Sequence, residues 1–313
     1  MSEFDFFLSD TLEGLSQDPK TVPCKYLYDE RGSTLFEAIC NTQDYYVTRA
    51  DLALHDEHLP QISALIGRAA HVIEFGSGAG IKTQKLLAAL DQPRAYTPIE
   101  ISESALSESS AQLQKQFPEL EVRPVCADYT QPIEDAELAL NPPADRRVIY
   151  FPGSTISNFE RDDAIEFLAR MGRIIGQHGG ILIGVDLLKP AARLVQAYDD
   201  DEGVTADFNL NLLDRMRREL DAEIERDDFA HEARFNAELG RIEMHLVAVR
   251  ATEIKLNGHC FKFEIGQSIH TENSHKYSIS GFKQLAEAAG LRSTQVWTDS
   301  DQLFSMHWLV NPE

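Results

Sequence analysis

Apolar residues gather in short, nearly unbroken runs through the middle of the chain. Ala70–Phe75, Ala95–Ile101, Val122–Cys126, Val148–Phe151 and Gly180–Val185 read as strands buried on both faces, as in a parallel sheet. Between them the apolar spacing changes to a helical one. Lys82–Leu90 sets Leu86, Leu87 and Leu90 on one face, Glu103–Phe117 follows, and Arg161–Ile175 aligns Ala164, Phe167, Leu168, Met171 and Ile175. Strands alternating with helices predict βαβ units and an α/β, doubly wound sheet.

Beyond Asp186 the pattern differs. Lys189–Arg226 is charged and mostly helical, whereas Phe229–Gly266 is strand-rich, with partial alternation in Arg241–Arg250 and His259–Glu264. Ser280–Gly290 then reads as a helix stopped by glycine, and Thr294–Thr298 and Phe304–Val310 as closing strands. A helix followed by two late strands is how the methyltransferase variant of this sheet ends. The expected layout is therefore discontinuous. Residues 50–188 and 275–313 would form a Rossmann-like class I sheet domain, and residues 1–49 and 189–274 a smaller α+β substrate-binding lobe.

The segment 72–83, Val-Ile-Glu-Phe-Gly-Ser-Gly-Ala-Gly-Ile-Lys-Thr, runs from strand to helix through Gly76, Gly78 and Gly80. Glycines at such a junction let the backbone turn and let a ligand approach without meeting a Cβ. A P-loop needs Gly-Lys-Ser/Thr in direct sequence, but Ile81 separates Gly80 from Lys82. Ile81 also occupies the last glycine position of the dinucleotide fingerprint, which argues against a nicotinamide-dependent dehydrogenase. The pattern E-x-G-x-G-x-G, begun by Glu74, fits an S-adenosylmethionine loop best, with Gly76, Ser77 and Gly78 against the cofactor. A ligand-free turn is the alternative. Glu100 ends the second strand, where a carboxylate can accept from both ribose hydroxyls. Asp128 ends the third, where it can accept from the adenine amine while Tyr129 packs by the ring. Either acid alone could be a helix N-cap. Lys82 is a candidate partner for the cofactor carboxylate.

Composition narrows the field. The 313 residues carry 29 Lys plus Arg against 51 Asp plus Glu, a formal charge of -22. Phosphate backbones and anionic membranes repel such a chain, so neither is expected as a partner. No apolar run approaches the roughly 20 residues of a membrane helix. The start, Met1–Asp10, is acidic and unlike a signal peptide, so a cytoplasmic location is expected. Cys24, Cys40, Cys126 and Cys260 form no CxxC pair and are expected to be buried or half-buried thiols. His245, His270 and His275 show no H-x-x-x-H or H-E-x-x-H spacing, and no metal site is expected.

A series of further blocks resembles one family along nearly the whole chain. They are Tyr28-Asp29-Glu30-Arg31-Gly32-Ser33 with Leu35-Phe36-Glu37, Tyr45-Tyr46-Val47-Thr48-Arg49, Gly76-Ser77-Gly78 with Lys82-Thr83, and Gly153-Ser154-Thr155-Ile156-Ser157-Asn158. Later come Ala197-Tyr198-Asp199-Asp200 with Gly203-Val204-Thr205, Phe208-Asn209-Leu210-Asn211, Ile242-Glu243-Met244-His245 and His270-Thr271-Glu272-Asn273-Ser274. In this order they resemble the histidine-specific alpha-amine methyltransferases of ergothioneine biosynthesis.

The resemblance implies transfer of three methyl groups from S-adenosylmethionine to the α-nitrogen of L-histidine, leaving S-adenosylhomocysteine and the trimethylbetaine hercynine. It implies a small-molecule enzyme, expected to be a monomer. It places Tyr45, Asn158 and Tyr198 at the substrate's α-carboxylate and amine end and Tyr28 near the amine. Glu272 and Ser274 would read the imidazole with Met244 beside the ring, and Gly153 and Thr155 would belong to the loop between the two sites. Two departures stand out: Ala79-Gly80 where the family often has two serines, and Ser157 where it often has glycine.

The chemistry suits these residue types. The amine must be neutral to attack, and at a pKa near 8 only roughly a tenth is neutral at pH 7. Tyr28 would accept or relay that proton, or only position the amine. An Asn158 carbonyl can accept from N–H groups. Tyr28, Tyr45 and Tyr198 can stabilise the growing cation by about 0.5–2 kcal/mol per contact. Glu272 and Ser274, two apart in an extended segment, share a face, and a carboxylate with a hydroxyl can satisfy both ring nitrogens. The competing readings are the same fold acting on another amino acid or a thiolated histidine, and a non-catalytic S-adenosylmethionine-binding protein.

Overall fold

The structure is a computed structural model describing residues 3–76, 80–134 and 136–312. The chain divides into two compact units, residues 47–187 with 277–313 and residues 1–46 with 188–276. Strand β1 (Lys20–Thr21) comes first. Then follow β2 (His71–Phe75), β3 (Ala95–Glu100), β4 (Glu121–Val122), β5 (Val125–Cys126), β6 (Arg147–Phe151) and β7 (Gly180–Asp186). The later strands are β8 (Phe229–Asn236), β9 (Arg241–Ala248), β10 (Thr252–Leu256), β11 (His259–Phe263), β12 (Ser268–His275), β13 (Arg292–Thr298) and β14 (Phe304–Val310).

The first unit is built on one sheet in the order β13-β14-β7-β6-β2-β3-β4, with β5 also paired to β3. Strands β2 to β7 are mutually parallel, and β14 enters antiparallel against β7. This is the Rossmann-like class I methyltransferase architecture. Every residue of β2 and β7 is buried, as their unbroken apolar runs predict. The five predicted apolar positions of the helix Arg161–Ile175 are all buried in the core. The expected third strand is broken in two. Pro124, which has no N–H for the ladder, lies between β4 and β5.

The turn into antiparallel pairing depends on two glycines. A Cβ on Gly180 would lie 2.0 Å from the Trp308 ring, and one on Gly184 would lie 2.8 Å from the Phe304 ring. The large side chains of β14 fill the space that β7 leaves bare.

The second unit is α+β. Its sheet runs β1-β12-β9-β8, beside the separate hairpin β10–β11. Among its helices are Glu3–Leu15, Glu30–Asn41, Ala191–Tyr198 and Val204–Leu220. Several family-like blocks prove to be structural joints. Asp29 caps the helix Glu30–Asn41 by accepting from Gly32 N at 2.7 Å, and accepts from Asn211 Nδ2 at 2.8 Å. A Cβ on Gly32 would lie 1.8 Å from Leu27 O, so only glycine fits there. Asp200 accepts from Val204 N and Thr205 N at the start of Val204–Leu220, across the left-handed Gly203. Cys24 and Cys40 are half-buried, but Cys126 and Cys260 are exposed, contrary to expectation, because each sits at a strand position turned to solvent.

Candidate functional site

The sheet order reverses direction about β2, whose neighbours are β3 on one side and β6 on the other. In open α/β sheets a ligand binds at the carboxyl ends of the strands beside such a reversal. Gly76 follows β2 with φ +70°, and a Cβ there would stand 3.4 Å from the Tyr129 ring. The left-handed φ is what favours glycine there. Ser77 and Gly78 lie outside the described residues. The helix Ile81–Ala89 starts at once after Gly80, itself at φ +71°.

Three carboxylates mark the ends of these strands. Glu74 is buried, accepting from Tyr96 Oη at 2.5 Å and from Thr83 Oγ1 at 2.7 and 2.9 Å; burial pushes it up to about 7. Its bonds are internal, so it braces β2 against β3. Glu100 uses one oxygen to accept from Ile101 N at 2.9 Å and Ser102 N at 3.4 Å. Burial holds its carboxyl above the ordinary range, and its other oxygen has no partner among the described residues. Asp128 Oδ1 accepts from Thr130 N at 2.9 Å and Thr130 Oγ1 at 2.6 Å. The half-buried Tyr129 ring packs 6.0–6.1 Å from Phe75, Phe151 and Phe167. The uncrowded Gly76 and the free acceptor of Glu100 fit a nucleoside with a ribose diol.

Lys82 has a partner that spacing alone does not reveal. Its ammonium donates to Asp51 Oδ2 at 2.6 Å. The same oxygen accepts from Gly153 N at 3.0 Å, and His55 Nδ1 donates to the Asp51 carbonyl at 2.8 Å. Tyr150 Oη lies 2.6 Å from His55 Nε2. Asp51 is fully buried, yet its carboxyl is held far below the usual range: burial opposes this, and the charges of Lys82 and His55 outweigh it. Asp51 thus ties the helix after the glycine loop to the turn at Gly153.

That turn carries the predicted Gly153, Thr155 and Asn158. Gly153 has φ +74°, and Ser154 also takes a left-handed conformation, φ +61°. Ser154 Oγ accepts from Asp186 N, and Ser157 Oγ donates to Ser154 O at 2.6 Å, so serine at 157 locks the turn. Thr155 Oγ1 donates to Pro152 O. Asn158 ends the short helix Thr155–Asn158, half-buried, with its amide making no hydrogen bond to a described residue.

In the α+β unit the predicted imidazole readers do meet. A bulge at Thr271 shifts the phase of β12 by one residue. Glu272 therefore stands opposite Met244 and Ser274 opposite Ile242, on the face shared by Ile269 and Leu246. His270, opposite His245, falls on the other face. Thr271 Oγ1 lies within hydrogen-bond distance of Asn209 Oδ1 and Met244 O, at 2.7 and 3.0 Å, which holds the bulge. Glu272 is buried and pushed up to about 7 by burial, against the pull of the Lys276 charge. Its Oε2 has no hydrogen-bond partner among the described residues.

Tyr198 Oη lies 2.7 Å from Ser274 Oγ, so this tyrosine joins the serine directly. The Tyr45 ring stands edge-on to Tyr198 at 5.9 Å, and burial pushes its phenol well above the ordinary value. Tyr28 is held edge-on by Phe36 and Phe208 at 5.5 and 5.4 Å with a third of its surface exposed. Lys276, which sequence reasoning missed, donates to both Ser274 and Tyr198. The signal was present: Glu272, Ser274 and Lys276 continue one i, i+2, i+4 series.

On the opposite sheet face, Glu243, His245 and His270 bring ligand-type atoms within 4.8 Å of one another. No sequence spacing shows this, because the residues lie on two strands. The two rings stack at 4.9 Å, burial lowers His245 to about 4, and Glu243 is already held by Arg241 and Asn236. Among the described residues no helix is long and apolar enough to cross a membrane.

Comparison with known proteins gives the family. Residues 7–311 match the family described as histidine-specific methyltransferase, SAM-dependent. The histidine N-alpha-methyltransferase of Mycobacterium tuberculosis is 36% identical over 298 residues, covering 93% of this chain and 90% of that protein. The Ergothioneine biosynthesis protein 1 of Neurospora crassa is 31% identical over 302 residues, covering 93% of this chain but 33% of that protein. An S-adenosylmethionine-dependent methyltransferase from Clostridium acetobutylicum shares the fold at a TM-score of 0.50 and 10% identity, covering 90% of this chain and 96% of that one. The chain belongs to the histidine-specific, S-adenosylmethionine-dependent methyltransferases.

Proposed function

We propose that this protein transfers three methyl groups in succession from S-adenosylmethionine to the α-amine of L-histidine, yielding hercynine, as a monomeric cytoplasmic enzyme. The observation that carries the substrate is Glu272: a buried carboxylate with an unpartnered oxygen, beside a serine hydroxyl on the same sheet face. A buried polar group without a partner is costly, and a ring N–H would satisfy it. Met244, directly across the strand pair, supplies an apolar surface for the ring.

The cofactor, when bound, supplies an activated methyl group on a sulfonium, so the chain's own task is chiefly orientation. Gly76, Glu100, Asp128 and Tyr129 would hold its nucleoside, with Ser77, Gly78 and Lys82 toward the remainder. Asn158 would accept from the amine through its amide oxygen. Tyr28, gripped by two aromatic rings, would orient the amine. Tyr45 and Tyr198 would offer ring faces and hydroxyls to the α-carboxylate end and the growing cation. Gly153 and Thr155 would shape the turn that presents Asn158.

Incubation of the purified protein with S-adenosylmethionine and single amino acids, followed by mass spectrometry, tests this. A gain of three methyl groups on histidine alone is expected. No gain on histidine, or an equal gain on phenylalanine, would remove the reading.

A further inference from the structure

Asp51, on the helix Val47–Ile66, lies outside the blocks that carry the family resemblance. It is wholly buried and still ionised: burial opposes the charge, and the Lys82 ammonium, followed by His55, outweighs it. The carboxylate is fixed from two sides. Oδ1 faces the His55 ring, 3.2 Å from Nδ1, while Oδ2 accepts from Lys82 Nζ at 2.6 Å and from Gly153 N at 3.0 Å. Lys82 stands in the first turn of the helix Ile81–Ala89, where unpaired backbone N–H groups and the helix dipole repel a cation. That turn holds no acidic residue of its own. Asp51 supplies the counter-charge that keeps an ammonium at a place it would otherwise leave. An ammonium has three donors. One goes to Asp51, the other two have no partner among the described residues, and 22% of the side chain is exposed.

We propose that Asp51 is a positioning residue for the cofactor: it holds the Lys82 ammonium beside the glycine loop so that the two remaining donors serve the carboxylate of S-adenosylmethionine. This rests on the cofactor reading of Lys82 above. Asp51 itself touches no cofactor, since none of its side chain reaches the surface. It acts through Lys82. Its charge makes the ammonium the middle member of an alternating series: chain carboxylate, ammonium, cofactor carboxylate. Such a series favours a ligand that carries a carboxylate over the same ligand without one. Gly153 gives the arrangement a second anchor. Its N–H shares the Oδ2 lone pairs with Lys82, and its Cα packs against the ammonium, where a Cβ would stand 3.3 Å from Nζ.

Calorimetry with S-adenosylhomocysteine and its decarboxylated analogue, which keeps the nucleoside, the sulfur and the amine, tests this. The unaltered protein should bind S-adenosylhomocysteine at least about tenfold more tightly, as a hydrogen bond between charged groups provides. In Asp51→Ala that preference should fall to within about threefold, through weaker binding of S-adenosylhomocysteine rather than tighter binding of the analogue. Lys82→Met should lose the preference to the same extent, and adding Asp51→Ala to it should change it no further, because one residue acts through the other. Equal weakening of both ligands in Asp51→Ala would mark Asp51 as merely structural and overturn the proposal, as would an unmoved preference or a further loss in the double variant. Should Asp51→Ala fail to fold, Asp51→Asn, which keeps the shape and an acceptor for Gly153, must narrow the same preference at least about threefold; if it does not, the proposal falls. Equal binding of the two ligands by the unaltered protein would take Lys82 off the cofactor carboxylate and remove that reading as well, whereas a preference that survives in Asp51→Ala overturns this inference alone.

Discussion

Glu272 shows how a side chain that is poor for stability can be suited to the recognition proposed for it. Its carboxyl sits at about 7 rather than its ordinary value because burial penalises the charge, and one oxygen is left unpartnered. A shift of that size corresponds to roughly 3 kcal/mol of destabilisation once the group ionises. Glu272→Gln should therefore raise the melting temperature near pH 8 while raising KM for histidine about tenfold or more, since a hydrogen bond to a charged group contributes about 1.5–3 kcal/mol. Loss of both stability and histidine affinity would show that the carboxylate is a structural brace. Glu100 makes the opposite case, half-satisfied by its own backbone. Glu100→Ala should weaken S-adenosylmethionine binding about tenfold by calorimetry, and an unaltered dissociation constant would take it off the ribose. Glu100 was legible as an acid at a strand end, whereas Glu272 was singled out through the family resemblance, the i, i+2 spacing adding only that it shares a face with Ser274. Asp51 was not legible, since its meaning comes from Lys82 and Gly153 on distant segments; Lys276 was aligned with Ser274 by spacing, but its bond to Tyr198 is equally long-range.

At the level of elements, the parallel strands and the helix Arg161–Ile175 were readable because one kind of burial runs along each of them. The helix Glu3–Leu15 was not singled out, and its faces explain why: Phe4 and Phe6 are about half exposed while Phe7 is buried, which blurs the period. The bulge at Thr271 was equally hidden. Nothing in His270-Thr271-Glu272 announces that the alternation slips, yet the slip decides which face Glu272 occupies. Thr271→Val keeps the shape but removes the hydroxyl that meets Asn209 and the Met244 carbonyl, so it should cost about 1–3 kcal/mol in urea unfolding. Gly180 illustrates the reverse dependence, an absent side chain fixing a neighbouring strand. Because its Cβ would meet the Trp308 ring at 2.0 Å, Gly180→Ala should cost about 3 kcal/mol, the upper end of overpacking, and an unchanged denaturation midpoint would mean that β14 shifts freely.

For the molecule as a whole, buried ionisable groups pull stability in opposite directions with pH. Glu74 and Glu272 are both raised to about 7, so the folded state holds two protons that the unfolded chain has released above pH ~4.5. Their contribution falls as pH rises from ~4.5 through 7 and levels off above it. His71 and His245 are lowered to about 4 and His307 to about 3, in each case chiefly by burial. Below pH ~6.5 the unfolded chain takes up three protons that these rings refuse, so their contribution falls as pH drops. Three imidazoles outweigh two carboxyls on the acid side, while only the carboxyls act on the alkaline side, where a formal charge of -22 adds self-repulsion. Stability should therefore peak near pH 6.5, declining by roughly 1–2 kcal/mol toward pH 5 and by a smaller amount toward pH 8. Urea midpoints at the three values measure it directly. Glu272→Gln should flatten the alkaline decline and steepen the acid one, because the linkage it removes spans pH ~4.5 to 7; a midpoint that rises steadily from pH 5 to 8 in the unaltered protein would mean that Glu74 and Glu272 ionise in the folded state as freely as in the unfolded chain.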